Sequence, residues 1–106
     1  KPEALREYLY THGFAIDREC FVTDEGKHYV CILAHYTGER VNFSHADAYF
    51  GYDKFYRDEQ TPAARCYFEG KLLSLARAKE GKARGGEDTS LEDELIAELK
   101  KRLNIN

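Results

Sequence analysis

The 106 residues include 42% hydrophobic and 33% charged side chains with a net charge of −3, a balance that excludes a disordered or strongly basic chain. The length admits one domain's worth of sequence at most. No apolar run approaches the roughly 20 residues needed to span a bilayer, and no leader opens the chain, so a cytoplasmic protein without membrane contact is expected. The chain starts Lys1-Pro2 and contains no methionine, so it reads as a piece of a longer protein.

In chain order, Leu5, Tyr8, Leu9 and His12 recur at helical spacing behind Pro2, and Gly13 suits a helix stop. Phe14-Ala15-Ile16 and Cys20-Phe21-Val22-Thr23 have a strand pattern, with a break expected around Asp17-Arg18-Glu19. Asp24-Glu25-Gly26-Lys27 is a turn. Tyr29-Val30-Cys31-Ile32-Leu33-Ala34 then reads as apolar on both faces, as in a strand covered on both sides within an α/β sheet. One hairpin is marginal alone, and one helix cannot cover both faces. The sequence therefore implies a sheet larger than the one it encodes.

After Thr37-Gly38-Glu39, the S-x-x-D pattern of Ser44-His45-Ala46-Asp47 predicts a helix start. Thr61-Pro62 predicts another, with an apolar stripe of Ala64, Tyr67, Phe68, Leu72, Leu75 and Ala76 and an end at Gly81. Residues 81–90 read as a flexible turn. Thr89 with Glu92, or Ser90 with Asp93, would cap a last helix whose stripe is Leu91, Leu95, Ile96, Leu99 and Leu103. The predicted fold class is α+β: a helix and an antiparallel β-hairpin, followed by a C-terminal helical hairpin.

Cys20, Cys31 and Cys66 are an odd, widely spaced set, which argues against a disulfide framework and for a reducing compartment. Each has apolar or aromatic neighbours, so burial as small hydrophobes is expected. Cys31, His35 and Cys20 could share a sheet face, but no C-x-x-C, H-x-x-x-H or set of four ligands is present, and no metal is expected. No nucleophile–base signature occurs. Gly85-Gly86 lies between two helices and not after a strand, so it makes no nucleotide cradle. The remaining candidate is the basic stretch 61–86, which carries 6 basic and 2 acidic groups, whereas 1–60 and 87–106 are net acidic. Within it Lys71, Arg77, Lys79, Lys82 and Arg84 fall toward one end of the helical hairpin, where they could contact RNA phosphates without reading sequence. The alternative reading of that stretch is an ordinary solvated helix face.

Leu5-Arg6-Glu7-Tyr8-Leu9 followed by His12-Gly13-Phe14-Ala15-Ile16 resembles the "LRE-x-L…G-(aromatic)-x-I" run of the bacterial tRNA (adenine-N1)-methyltransferase family. Glu19, Asp24-Glu25-Gly26-Lys27 and Tyr29 resemble that family's "E…(E/D)DGK-x-Y" turn and strand, and Tyr49-Phe50-Gly51 its "FG" motif. Val30 stands where the family often has an acid. The resemblance spans residues 3–52 and rests on the order and spacing of motifs. It implies that residues 1–36 end a Rossmann-like methyltransferase domain, contributing its last helix and final two antiparallel strands. Residues 37–106 would be the helical, coiled-coil-like domain that helps hold tRNA. Such enzymes methylate a D-arm adenine of tRNA using S-adenosylmethionine. Their cofactor loop and catalytic pocket would precede Lys1, so the resemblance places no catalytic or cofactor-binding residue in this chain, which alone would be inactive. Partners expected on this basis are tRNA, the preceding methyltransferase domain and, through the exposed strand edge, a second copy. The rival reading is a non-catalytic interaction module that oligomerises through its helical hairpin, with Leu72 and Leu75 against Leu91, Leu95, Leu99 and Leu103.

Overall fold

Helix α1 (Pro2–Thr11) begins at the proline, whose missing N–H costs nothing in a first turn. Only part of the expected stripe faces inward: Leu9 is half-buried, whereas Leu5 and Tyr8 are about half exposed. The buried residues are Arg6 and Tyr10, one turn apart. The helix is rotated away from its apolar stripe because Arg6 finds a carboxylate on the inner side. Gly13 ends it at φ +87°, and its carbonyl accepts from the Thr37 and Gly38 N–H groups at 2.7 and 3.0 Å. A Cβ at Gly13 would meet the Gly38 backbone at 3.1 Å.

Strands β1 (Phe14–Asp24) and β2 (Lys27–Tyr36) form a two-stranded antiparallel sheet. Glu25 and Gly26 both have positive φ (50° and 76°), the backbone of a type I′ turn that matches strand twist. The break expected at 17–19 is a β-bulge: pairing shifts between Ile16 and Arg18, leaving Asp17 as the extra residue. The bulge changes the side-chain phase. Strict alternation from Ile16 would turn Arg18 inward. With one residue added, Glu19 and Phe21 join Ile16 on the inner face, all three buried.

β2 has half-buried Val30, Ile32 and Ala34 opposite those residues, while Tyr29, Cys31 and Leu33 on the other face are exposed. The inner face meets a core of Tyr10, Ile16 and Phe55 joined by Leu9, Ile32, Ala34, Val41, Phe43 and Tyr52. The Tyr10 ring lies 5.2 Å from Phe43 and 5.6 Å from Tyr52, spacings at which aromatic pairs attract. The outer face, apolar as the sequence indicated, is left uncovered by its own unit.

Helix α2 (His45–Phe50) starts with the predicted capping box: the Asp47 N–H donates to Ser44 Oγ and the Ser44 N–H to the Asp47 carboxylate. Helix α3 (Asp53–Glu59), which sequence periodicity did not single out, places Phe55 in the core. Thr61 Oγ1 then accepts from the Ala64 N–H at 3.1 Å, and Pro62 opens α4 (Pro62–Arg84). This helix runs through Gly81, where a stop was expected, and ends at Gly85-Gly86, with Gly86 at φ +71° and the Glu87 N–H donating to the Lys82 carbonyl. One interior glycine costs about 1 kcal/mol against alanine, too little to stop a long helix; the pair ends it because Gly86 takes the positive φ. Helix α5 (Ser90–Leu103) follows and is closed by Asn104 in the left-handed region.

The structure, a computed structural model, describes residues 2–105 and the side chains of all of these except 58 and 59. The fold is α+β, as expected. Packing divides the chain into two compact units, Lys1–Ala64 and Arg65–Asn106. In the second unit α4 and α5 run antiparallel: Arg65, near the start of α4, donates to the carbonyl of Leu103 at the end of α5. Tyr67, Phe68, Leu95, Leu99 and Leu103 are buried, so the predicted stripes lie inward, although Ala76 is exposed and Leu72, Leu75, Leu91 and Ile96 are half-buried. The cysteines correct an expectation. All three are free, Cys31 and Cys66 are exposed, and only Cys20 is half-buried, because the phase set by the bulge puts Cys20 and Cys31 on the uncovered face.

Candidate functional site

In the first unit, residues from three separated segments meet at one buried ion pair. Arg6 and Glu19 have fully buried side chains. The Arg6 Nε–H donates to both Glu19 oxygens at 3.1 Å, and Nη2 donates to Oε1 at 2.6 Å. Nη1 donates to the Ala48 carbonyl in α2 at 3.0 Å. Gly51, at φ +76°, completes the site: a Cβ there would lie 2.6 Å from Glu19 Oε2. The "LRE", "E" and "FG" motifs of the sequence thus converge in space. The Glu19 carboxylate and the Ala48 carbonyl engage all three guanidinium nitrogens of Arg6, the pattern of a structural pairing. The arrangement fastens α1, β1 and α2 together.

Beside it, burial pushes the Tyr10 hydroxyl well above the usual tyrosine range, reinforced by Tyr52 and then Glu19. The phenol stays protonated across the physiological range. Sequence reasoning did not pick out this knot. The available signal was an arginine in the middle of a short helix and a glutamate between Ile16 and Phe21 on a strand.

The basic residues expected to touch RNA all lie on α4. Lys71 has its ammonium 5.7 Å from the centre of the Tyr67 ring, a cation–π contact. Lys79 pairs with Asp93 at 2.6 Å and Lys82 with Glu92 at 2.7 Å, both across to α5. Arg84 pairs with Glu80 one turn back. Arg77 is exposed and makes no ion pair among the described residues. Lys79, Lys82 and Arg84 are therefore neutralised inside the unit.

The acids at the start of α5 respond to these partners. A hydrogen bond from Lys82 holds the Glu92 carboxyl below its usual range, hydrogen bonds from Lys79 and then Thr89 do so for Asp93, and those from Ser90 do so for Asp88. An open cavity of about 430 Å³ lies beside them, lined by Leu72, Ala76, Lys79, Glu80, Ala83, Ile96 and Lys100.

No group of three or more His, Cys, Asp or Glu side chains is placed to hold a metal among the described residues. His35 instead meets Asp17 at 2.7 Å. Gly85-Gly86 follows helix α4 and precedes helix α5. Among the described residues no helix is long and apolar enough to cross a membrane.

No family model matches the sequence, and no curated protein matches it. Solved structures do. A provisionally assigned tRNA (m1A22) methyltransferase of Streptococcus pneumoniae, in complex with S-adenosyl-L-methionine, is 23% identical with a TM-score of 0.70; the match covers 97% of this chain and 43% of that one. A Streptococcus agalactiae protein of the NADB-Rossmann superfamily matches at 19% identity and a TM-score of 0.71, over 97% of this chain and 44% of that one. An uncharacterized protein of Listeria monocytogenes serotype 4b matches at 16% identity and 0.60, with the same coverage of both chains. These likenesses establish the fold. The chain spans less than half the length of each of these structures.

Proposed function

We propose that this chain is the C-terminal portion of an S-adenosylmethionine-dependent tRNA (adenine-N1)-methyltransferase. In this reading its hairpin completes the sheet of a preceding cofactor-binding domain, and its helical hairpin is an arm that contacts the tRNA backbone. The carrying observation is the match of 97% of the chain to less than half of a structure with S-adenosyl-L-methionine bound. The hairpin supports it independently. Tyr29 and Leu33 on the outer face are 47% and 62% exposed, as expected of strands from a larger sheet. Without that sheet, the bare strand edge invites a second copy.

Methyl transfer and cofactor binding belong, in this proposal, to the part of the enzyme before residue 1. The chain contributes position and charge. Lys71, Arg77, Lys79, Lys82 and Arg84 are the proposed phosphate contacts, with Arg77 leading because Lys79, Lys82 and Arg84 must exchange an internal acid for a phosphate. The test is replacement of Arg77, Lys79, Lys82 and Arg84 by Glu in the full-length enzyme. Weaker tRNA binding is expected with S-adenosylmethionine affinity unchanged, and a binding slope against log salt shallower by about 0.7–0.9 for each phosphate no longer neutralised. Unchanged tRNA affinity at low salt would remove the arm from the proposal, and loss of S-adenosylmethionine affinity would assign these residues to the cofactor domain.

A further inference from the structure

The second unit has a groove that its own packing leaves open. It is the cavity of about 430 Å³ between α4 and α5, a volume within the range that holds small ligands. Leu72, Ala76, Ala83 and Ile96 give it an apolar lining, with Leu72 and Ile96 half-buried and both alanines exposed. Lys79, Glu80 and Lys100 border it. Lys79 is held by Asp93 at 2.6 Å and Glu80 by Arg84, so neither brings net charge to a guest. Lys100 is half-buried and makes no ion pair among the described residues. A lysine so placed lays its stem along apolar surface and keeps its ammonium in water. The last turn of α5 favours cations at any position, and of Lys100, Lys101 and Arg102 there it is Lys100 that lines the groove. The groove therefore offers an apolar surface with one uncompensated positive charge, and it fits an anion with an apolar body.

A nucleotide has that form, a base with apolar faces joined through a ribose to a phosphate. Bases that leave the stack in loops and bulges are taken up on side-chain surfaces. We propose that the α4–α5 groove takes one unstacked nucleotide of an RNA, with the base on Leu72, Ala76 and Ile96 and the phosphate on Lys100. This occupant rests on the RNA-contacting role proposed above, to which it adds a base. Arg77, exposed and next in sequence to Ala76, is available to a neighbouring phosphate. An apolar lining accepts every base, since each presents a flat face, so the groove registers an extruded base without reading its identity.

The test uses the full-length enzyme, methyl-labelled at Leu, Ile and Ala and saturated with S-adenosylmethionine. It is titrated by NMR with adenosine 5′-monophosphate, inorganic phosphate or tRNA. Saturable shifts of the Leu72, Ala76 and Ile96 methyls are expected with the mononucleotide, which tRNA should displace, and none with inorganic phosphate. Lys100→Glu should weaken mononucleotide binding about ten-fold or more, the loss expected for one charge-assisted hydrogen bond. Ala76→Trp, at an exposed position, should block the groove and weaken tRNA binding. Its slope against log salt should stay that of the parent, because every phosphate-contacting cation remains. Unmoved methyls, equal shifts from inorganic phosphate, mononucleotide that tRNA does not displace, or shifts that follow protein concentration alone, as between two copies, would each overturn the site. If one of these occurs while glutamate at Arg77, Lys79, Lys82 and Arg84 still weakens tRNA binding, the groove falls and the arm stands; if that variant keeps its tRNA affinity, the arm itself has failed.

Discussion

The two compact units handle charge in opposite ways. The first buries a salt bridge completely, with the Arg6 and Glu19 side chains inaccessible to solvent and tied to the Ala48 carbonyl. The second has a core of Leu95, Leu99 and Leu103 and keeps the pairs Lys79–Asp93 and Arg84–Glu80 exposed, with Lys82–Glu92 and Arg102–Glu98 each buried on one side only. A buried pair is costly to desolvate and very costly to break, whereas a surface pair contributes little and yields to salt. One unit is therefore organised around a polar knot that permits a single arrangement, and the other around a stripe that tolerates change in its charges. The RNA contact proposed above would suit the second kind, since exposed cations can exchange partners without loss of fold.

The largest expected effect tests the knot. Arg6→Ala should cost about 3–5 kcal/mol in urea unfolding, because Glu19 is left buried and unpaired. The double replacement Arg6→Met with Glu19→Leu should recover much of that loss. Equal losses for the single and double variants would mean that the pair does not organise the unit. In the second unit Leu99→Ala, at a position 1% exposed, should cost about 3 kcal/mol through its cavity, measured the same way.

Gly51→Ala should be milder, about 1–3 kcal/mol, for a strained positive φ, with the displaced Glu19 carboxylate adding to it. A stability equal to the parent would show that Glu19 can move aside. The smallest effect is in pH. Asp88, Glu92 and Asp93 have lowered folded-state values, so near pH 4 the unfolded chain binds more protons than the folded one. Their contribution is present above the unfolded values and is lost as pH falls through the folded ones. Lys82→Ala should flatten the acid limb of a stability–pH profile below about pH 4, and high salt should do the same to the parent.

The sequence was most legible where signals are local. The capping box at Ser44 and Asp47, the Thr61-Pro62 start, the Glu25-Gly26 turn and the leucine stripe of α5 all depend on residues a few positions apart. Misreadings arose where a distant contact decided. The α1 stripe of Leu5 and Tyr8 lost to Arg6 because the partner of Arg6 lies 13 residues away. Gly81 failed to end α4 because one glycine is a small cost within 23 helical residues. At the candidate site the basic residues of α4 were visible as charges, but their pairing with Glu80, Glu92 and Asp93 depends in part on how α4 and α5 pack.

By itself the sequence determined the α+β order, most helix starts and the apolar character of both faces of the second strand, because periodicity and caps act within one or two turns. Tertiary structure alone decided which of those residues are covered. The bulge at Asp17 sets which side chains face inward, taking Glu19 to Arg6 and leaving Cys20, Cys31, Tyr29 and Leu33 outside. A one-residue phase change leaves the composition of a strand unaltered and reverses which of its faces is buried.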